Sequence, residues 1–133
     1  MRTNIIRIEH PSDGLGLWRS SYDEEQYNTI EDHSCYPEIS KRHTDQTRFP
    51  AFYFDKELQD QISWEAVQEY NFAFKDLAQL ETALTREELK ECIEVLGFQV
   101  LMLDVTDYYE SPYQIVFKKE SIVNKKDISS MFL

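Results

Sequence analysis

The 133-residue chain carries 25 acidic and 14 basic residues, a formal charge of −11, and is 41% hydrophobic and 14% aromatic. That length and apolar content suit one domain that buries a core without metal or disulfides, and they exclude global disorder. A surface this negative repels phosphate backbones, so direct nucleic-acid binding is not expected, and either plain solubility or docking on a basic protein accounts for the charge.

In chain order, the β-branched run Asn4–Glu9 (NIIRIE) predicts a first strand, and Pro11, Asp13 and Gly14 predict the turn after it. GLGLWR, from Gly14 to Arg19, reads as a short strand or an extended loop. Residues 20–54 have poor periodicity and are broken by Pro37 and Pro50, so they read as irregular. Within them, FPAFYF (Phe49–Phe54) is an aromatic cluster that fits core or lid packing better than a stacking platform.

Asp55 and Ser63 are placed to cap two short helices, one carrying Leu58 and Ile62, the other Trp64 and Val67. Alternation through Tyr70, Phe72 and Phe74 predicts a strand over Glu69–Phe74. Asp76 with Gln79 resembles a capping box, ahead of Leu77, Leu80 and Leu84. Thr85 with Glu88 is a clearer one, ahead of the Leu89, Ile93 and Leu96 stripe, with Gly97 suited to end that helix. FQVLMLDV (Phe98–Val105) reads as a central strand, TDYYESP as a turn or short loop, and YQIVFK (Tyr113–Lys118) as the partner of that strand in a hairpin. The expected fold is α+β: a small mixed or antiparallel sheet with two or three short helices packed on one face. Residues 1–119 form the domain, and 120–133 are a tail, or an arm that packs on a second subunit.

The negative charge is concentrated. Tyr22–Glu38 holds six acidic residues, among them Asp23, Glu24 and Glu25, and no Lys or Arg; Asp76–Glu110 has a net charge of −7. Glu87, Glu91 and Glu94 fall at i, i+4 and i+7, on the side of their helix away from the Leu89 stripe. Like charges at that spacing cost a helix a few tenths of a kcal/mol per pair. They make either a solvated face or a contact surface for a basic protein.

Catalytic signals are few. Three glycines do not make a phosphate cradle, and Walker, Rossmann, HExxH and G-x-S-x-G patterns are absent. His33, Cys35 and His43, with Asp32 and Asp45 nearby, lack a strong zinc spacing and read as loop residues, so no metal and no cofactor is expected. Cys35 beside either histidine has the elements of a nucleophile and base, without a family signature around it. Cys92 reads as a small buried hydrophobe and the two cysteines as reduced thiols. An alternative to a binding role is a nucleotide- or NAD-directed site that grips phosphate with Arg7 and Arg19, with His43 close by. The N-terminus lacks the apolar core of a signal peptide, and no run is long enough to span a membrane, which sets a cytoplasmic expectation.

Ile6-Arg7-Ile8-Glu9-His10-Pro11 with Gly14 and Gly16 resembles the opening R-I-E-H-P-x-x-G-x-G of a family of small phage and prophage proteins. The second half is similar to that family's ending: an F-x-F before Gln79-Leu80, then Leu96-Gly97-Phe98-x-Val100, then Gln114-Ile115-Val116-Phe117. Leu17 stands where an aromatic or Pro often follows the second glycine, and residues 20–54 match poorly. The resemblance brings no catalytic residue with it. It implies a small accessory protein of a mobile element, acting in a bacterial cytoplasm. Such proteins are often inhibitors of host systems, so a non-enzymatic inhibitor of a defence nuclease, of the CRISPR or restriction type, is the expectation it adds.

Overall fold

The computed structural model describes residues 2–12, 14, 16 and 55–133. The β-branched run folds as β1 (Thr3–Glu9), buried on both faces from Ile5 to Ile8. It pairs antiparallel with β3 (Gln99–Val105), Arg7 opposite Leu101. β3 is central, as its two apolar faces predict, and β6 (Ile122–Asp127) lies along its other side. A second antiparallel sheet has the order β2 (Asn71–Ala73), β5 (Ile115–Phe117), β4 (Tyr108–Glu110). Ile6 and Phe74 exchange both backbone hydrogen bonds, each 2.8 Å, and so tie the end of β2 to β1.

Strand alternation then sorts the core into three layers. Ile6, Ile8 and Val100 face α3 (Leu77–Ala83) and α4 (Arg86–Glu94), whose Leu80, Ala83, Leu89 and Cys92 complete that cluster. On the opposite side of the same sheet, Ile5, Leu101, Leu103 and Val105 meet Ala73, Ile115 and Phe117 of the second sheet. Val116 points the other way from its two neighbours and packs under α1 (Lys56–Gln59) and α2 (Trp64–Val67) through Leu58, Ile62 and Val67. The class is α+β as expected, but the helices divide between the outer faces of two sheets. Each sheet has its own helix pair over its outer face.

The caps behave as their chemistry dictates. Asp55 accepts from the Leu58 amide, Ser63 from Ala66 and Asp76 from Gln79. Thr85 and Glu88 form both bonds of the capping box. Gln79 does not close a box with Asp76: its Oε1 accepts from the Lys75 amide at 2.8 Å, and its Nε2 donates to the Pro112 carbonyl at 3.2 Å. It therefore links α3 to the turn between β4 and β5.

Two sequence expectations are corrected. Tyr113–Lys118 does not form a hairpin with Phe98–Val105. The chain leaves the first sheet after Val105, and TDYYESP, expected as a turn, supplies β4, which is β5's own hairpin partner. Ile115 and Phe117 face the first sheet while Val116 faces α1 and α2, so β5 is buried on both sides and fits an interior position between β2 and β4. The second correction concerns 120–133. A single 3-10 turn (Lys119–Ser121) leads into β6, and Ile128 and Phe132 are buried beside α4, with a final 3-10 turn over Ser129–Phe132. This stretch is part of the domain. Its mixed polarity reflects an edge strand with exposed Val123, Lys125 and Lys126 followed by two anchoring side chains.

Gly97 ends α4 with φ +78, a region that disfavours a Cβ, and a Cβ there would lie 3.2 Å from His10 Nε2. Gly97→Ala is expected to lower stability by about 1–2 kcal/mol, read as a fall in the urea midpoint at unchanged slope.

Candidate functional site

α4 presents two faces. Leu89 and Cys92 are buried, while Glu87 and Glu94 are exposed and Glu91 is half-buried. The spacing seen in the sequence thus leaves Glu87 and Glu94 open to solvent and Glu91 partly so. Thr85 fixes the start of the helix, and Glu87 and Glu88 lie in its first turn, where the helix dipole favours negative charge. Glu94 is in the last turn, where the dipole opposes it. Lys90 is exposed on the same helix, so the acidic row is not uniform. Arg86 turns away from it: its guanidinium donates to the Met131 carbonyl and lies over the Phe132 ring. The other acidic candidates, Asp23, Glu24 and Glu25, lie outside the described residues.

Arg7, the first member of the alternative nucleotide site, is buried at 5% exposure. Its Nε donates to Glu9 at 3.0 Å, one terminal nitrogen to the Phe72 carbonyl at 2.6 Å and the other to the Gly14 carbonyl at 3.0 Å. The Phe117 ring lies beneath it. Burial lowers the guanidinium pKa, and the hydrogen bond and charge of Glu9 oppose that shift. Glu9 also meets Lys125 at 3.6 Å. Gly16 bridges to Glu9 and lies against the Arg7 guanidinium. Arg7 joins β1 to β2 and to Gly14, and the three donors described serve the chain itself. Arg19 and His43, the other two members, are outside the described residues, as are His33, Cys35 and the FPAFYF cluster.

A model of the family described as bacteriophage T4 Y00F protein matches residues 1–130. The chain belongs to the bacteriophage T4 Y00F family. The match runs through both described sheets and the four described helices, so the described scaffold of this Y00F-family protein falls within it almost whole. The family is one of phage proteins, as the resemblance in the sequence implies. Searches of curated proteins and of solved structures find no match. Among the described residues, no helix is long and apolar enough to cross a membrane.

Three features of this family member were not legible as sites in its sequence. Asp55 is buried and caps α1 with Oδ1, while Oδ2 accepts from the Ser111 hydroxyl and from Gln114 Nε2 at 2.8 Å. That network pins α1 to the β4–β5 turn across more than fifty residues. A groove of about 380 Å³ opens between α3 and the same turn, with Lys75, Gln79 and Thr82 facing Pro112 and Tyr113. Finally, Tyr70 donates to Asp107 at 2.7 Å, and burial, followed by that carboxylate, pushes its phenol pKa up. All three are long-range pairings. Only the Asp55 cap had a local signal.

Proposed function

We propose that this phage-family protein acts without catalysis, as an acidic surface that docks on a basic protein of the bacterial cytoplasm. A defence nuclease of the CRISPR or restriction type is the partner class whose nucleic-acid groove fits that charge. The observation that carries the reading is the outward placement of Glu87 and Glu94 on α4, with Glu91 between them at partial exposure. The acidic stretch containing Asp23, Glu24 and Glu25 adds to the same field. An acidic face set against a Lys- and Arg-rich groove gains encounter rate from long-range attraction, and that attraction is screened over about 10 Å at 0.1 M salt.

The test is binding to a purified defence nuclease at a series of salt concentrations. Affinity is expected to fall as salt rises from about 0.05 to 0.3 M, a range over which surface attraction is progressively screened. The triple substitution Glu87→Gln, Glu91→Gln, Glu94→Gln is expected to slow association and flatten the salt dependence. An affinity that is flat with salt and indifferent to the triple substitution would sink the reading.

A further inference from the structure

Most strand edges in this fold are covered. Ile6 and Phe74 bond across the outer side of β1, and Gly16 bridges to Glu9 at its end. On β4, Gln61 Nε2 reaches the Glu110 carbonyl at 2.6 Å. β6 differs. It ends the first sheet, residues 123–127 are exposed, and no described strand pairs with its outer side. Such an edge presents free amides and carbonyls, a template for a further strand. The Ile128 amide donates to the Val100 carbonyl at 2.9 Å, in register with the pairs from Leu101–Asp127 to Asp104–Asn124. Backbone direction alternates along an antiparallel pair. Asn124 and Lys126 therefore turn their backbone groups toward β3, and Lys125 and Asp127 turn theirs outward.

Lys125 and Asp127 also share one face of the sheet and carry opposite charges. The Lys125 side chain is 53% exposed and lies 3.6 Å from Glu9, whose other oxygen takes the Arg7 Nε. Asp127 Oδ1 accepts from the Ser129 amide and hydroxyl, at 2.9 and 2.6 Å, and its Oδ2 has no described partner. Opposite charges at adjoining outward positions are self-complementary. With a two-fold axis through Lys126, a second copy sets its Asp127 opposite Lys125 and its Lys125 opposite Asp127. Each such pair exchanges both backbone bonds and matches its charges. A strand of uniform charge would instead set a like charge against one of the two. With the axis at Lys125, that residue would meet its own twin, and the irregular pairing beside Asp104 and Val105 would have to take part. Lys126 does meet its twin, on the other face, and each copy carries −11 overall. Both costs make the association weak and reversible.

We infer that the outer edge of β6 is a self-association surface, on which two copies pair β6 with β6 antiparallel, Lys125 against Asp127, and join their first sheets across a two-fold axis. Closed two-fold pairing of this kind stops at the dimer, because it uses the one edge of both copies. The inference does not depend on the role proposed for α4, which packs on a face of the sheet and not on this edge.

Sedimentation equilibrium of the full chain, over a concentration series reaching the millimolar range, tests this alongside two-dimensional NMR. The mass is expected to rise toward that of a dimer. The amides of Lys125 and Asp127 are expected to shift with concentration more than those of Asn124 and Lys126, which already face β3. Lys125→Asp sets like charges together in both symmetry-related pairs and is expected to weaken the dimer about three- to thirtyfold. Asp127→Asn keeps an acceptor for Ser129 and should give a smaller loss in the same direction. Lys125→Pro removes an outward amide and no bond to β3, so it should abolish the dimer and keep the circular dichroism spectrum. Lys125→Asp mixed with Asp127→Lys restores opposite charges in both pairs, and the mixture should associate more tightly than either variant alone. Lys126→Thr removes the like-charge contact and should tighten the dimer. A monomer mass across the whole series, or a dimer indifferent to both Lys125→Asp and Lys125→Pro, would overturn the assignment of this edge.

Discussion

Arg7→Ala is expected to destabilise the protein by about 3–5 kcal/mol, the range seen when one partner of a buried charge pair is removed. The change leaves Glu9 with Lys125 alone and leaves the Phe72 and Gly14 carbonyls without the donors that now reach them. It also removes the cation over Phe117. For a domain of this size the melting temperature should fall by roughly 10–20 °C. Arg7→Lys should recover little, because one ammonium cannot span three acceptors held by different segments. Calorimetry on the three proteins measures the effect. A loss below about 1 kcal/mol in Arg7→Ala would mean that the network behaves like an exposed ion pair. The same experiment bears on the nucleotide reading: if Arg7 served phosphate, its removal would change ligand-induced stabilisation while leaving the unliganded protein much as before.

The second large effect is expected at the C-terminus. Removing residues 128–133 takes away Ile128 and Phe132, both 4% exposed, together with the carbonyl that Arg86 holds. It also cuts the bond from the Ile128 amide to Val100 and the bond from the Val100 amide to Ser129 Oγ. Deleting a buried phenylalanine alone costs about 3–5 kcal/mol, so the truncated chain should be largely unfolded near 37 °C. The point variant Phe132→Ala separates packing from chain length and should show most of that loss in a urea titration. Were 120–133 an arm on a second subunit, this truncation within it would change the mass in solution and leave the melting curve of the domain intact.

Local features of the fold were legible because their causes are local. A β-branched run made β1. Side-chain oxygens one residue ahead of an apolar stripe set the starts of all four described helices. Thr85 with Glu88 fixed the start of α4, and the apolar spacing told its buried Leu89 and Cys92 from its exposed Glu87 and Glu94. Phe98–Val105, apolar on both sides, announced the central strand.

Partner choice was not legible in the same way. Ile115–Phe117 is as good a mate for β3 as for β2 and β4 when only alternation is considered, and what decides is which surfaces need covering once the chain has crossed at Thr106 and Asp107. Residues 120–133 looked like a tail because an edge strand has few apolar positions, and its value lies in contacts with β3 and α4. Arg7 looked open to a ligand because a sequence does not reveal that its acceptors are the carbonyls of Phe72 and Gly14. Trp64 was grouped with Val67 on one helix, and only packing against the second sheet sent the valine in and the indole out. The sequence by itself determined the net charge through its composition, and the helix starts and the exposure of Glu87 and Glu94 through neighbours within a turn or two. The tertiary structure decided the two sheets, the place of the C-terminus and the use of Arg7, because each depends on residues distant in the chain satisfying the same buried surface or the same buried polar group.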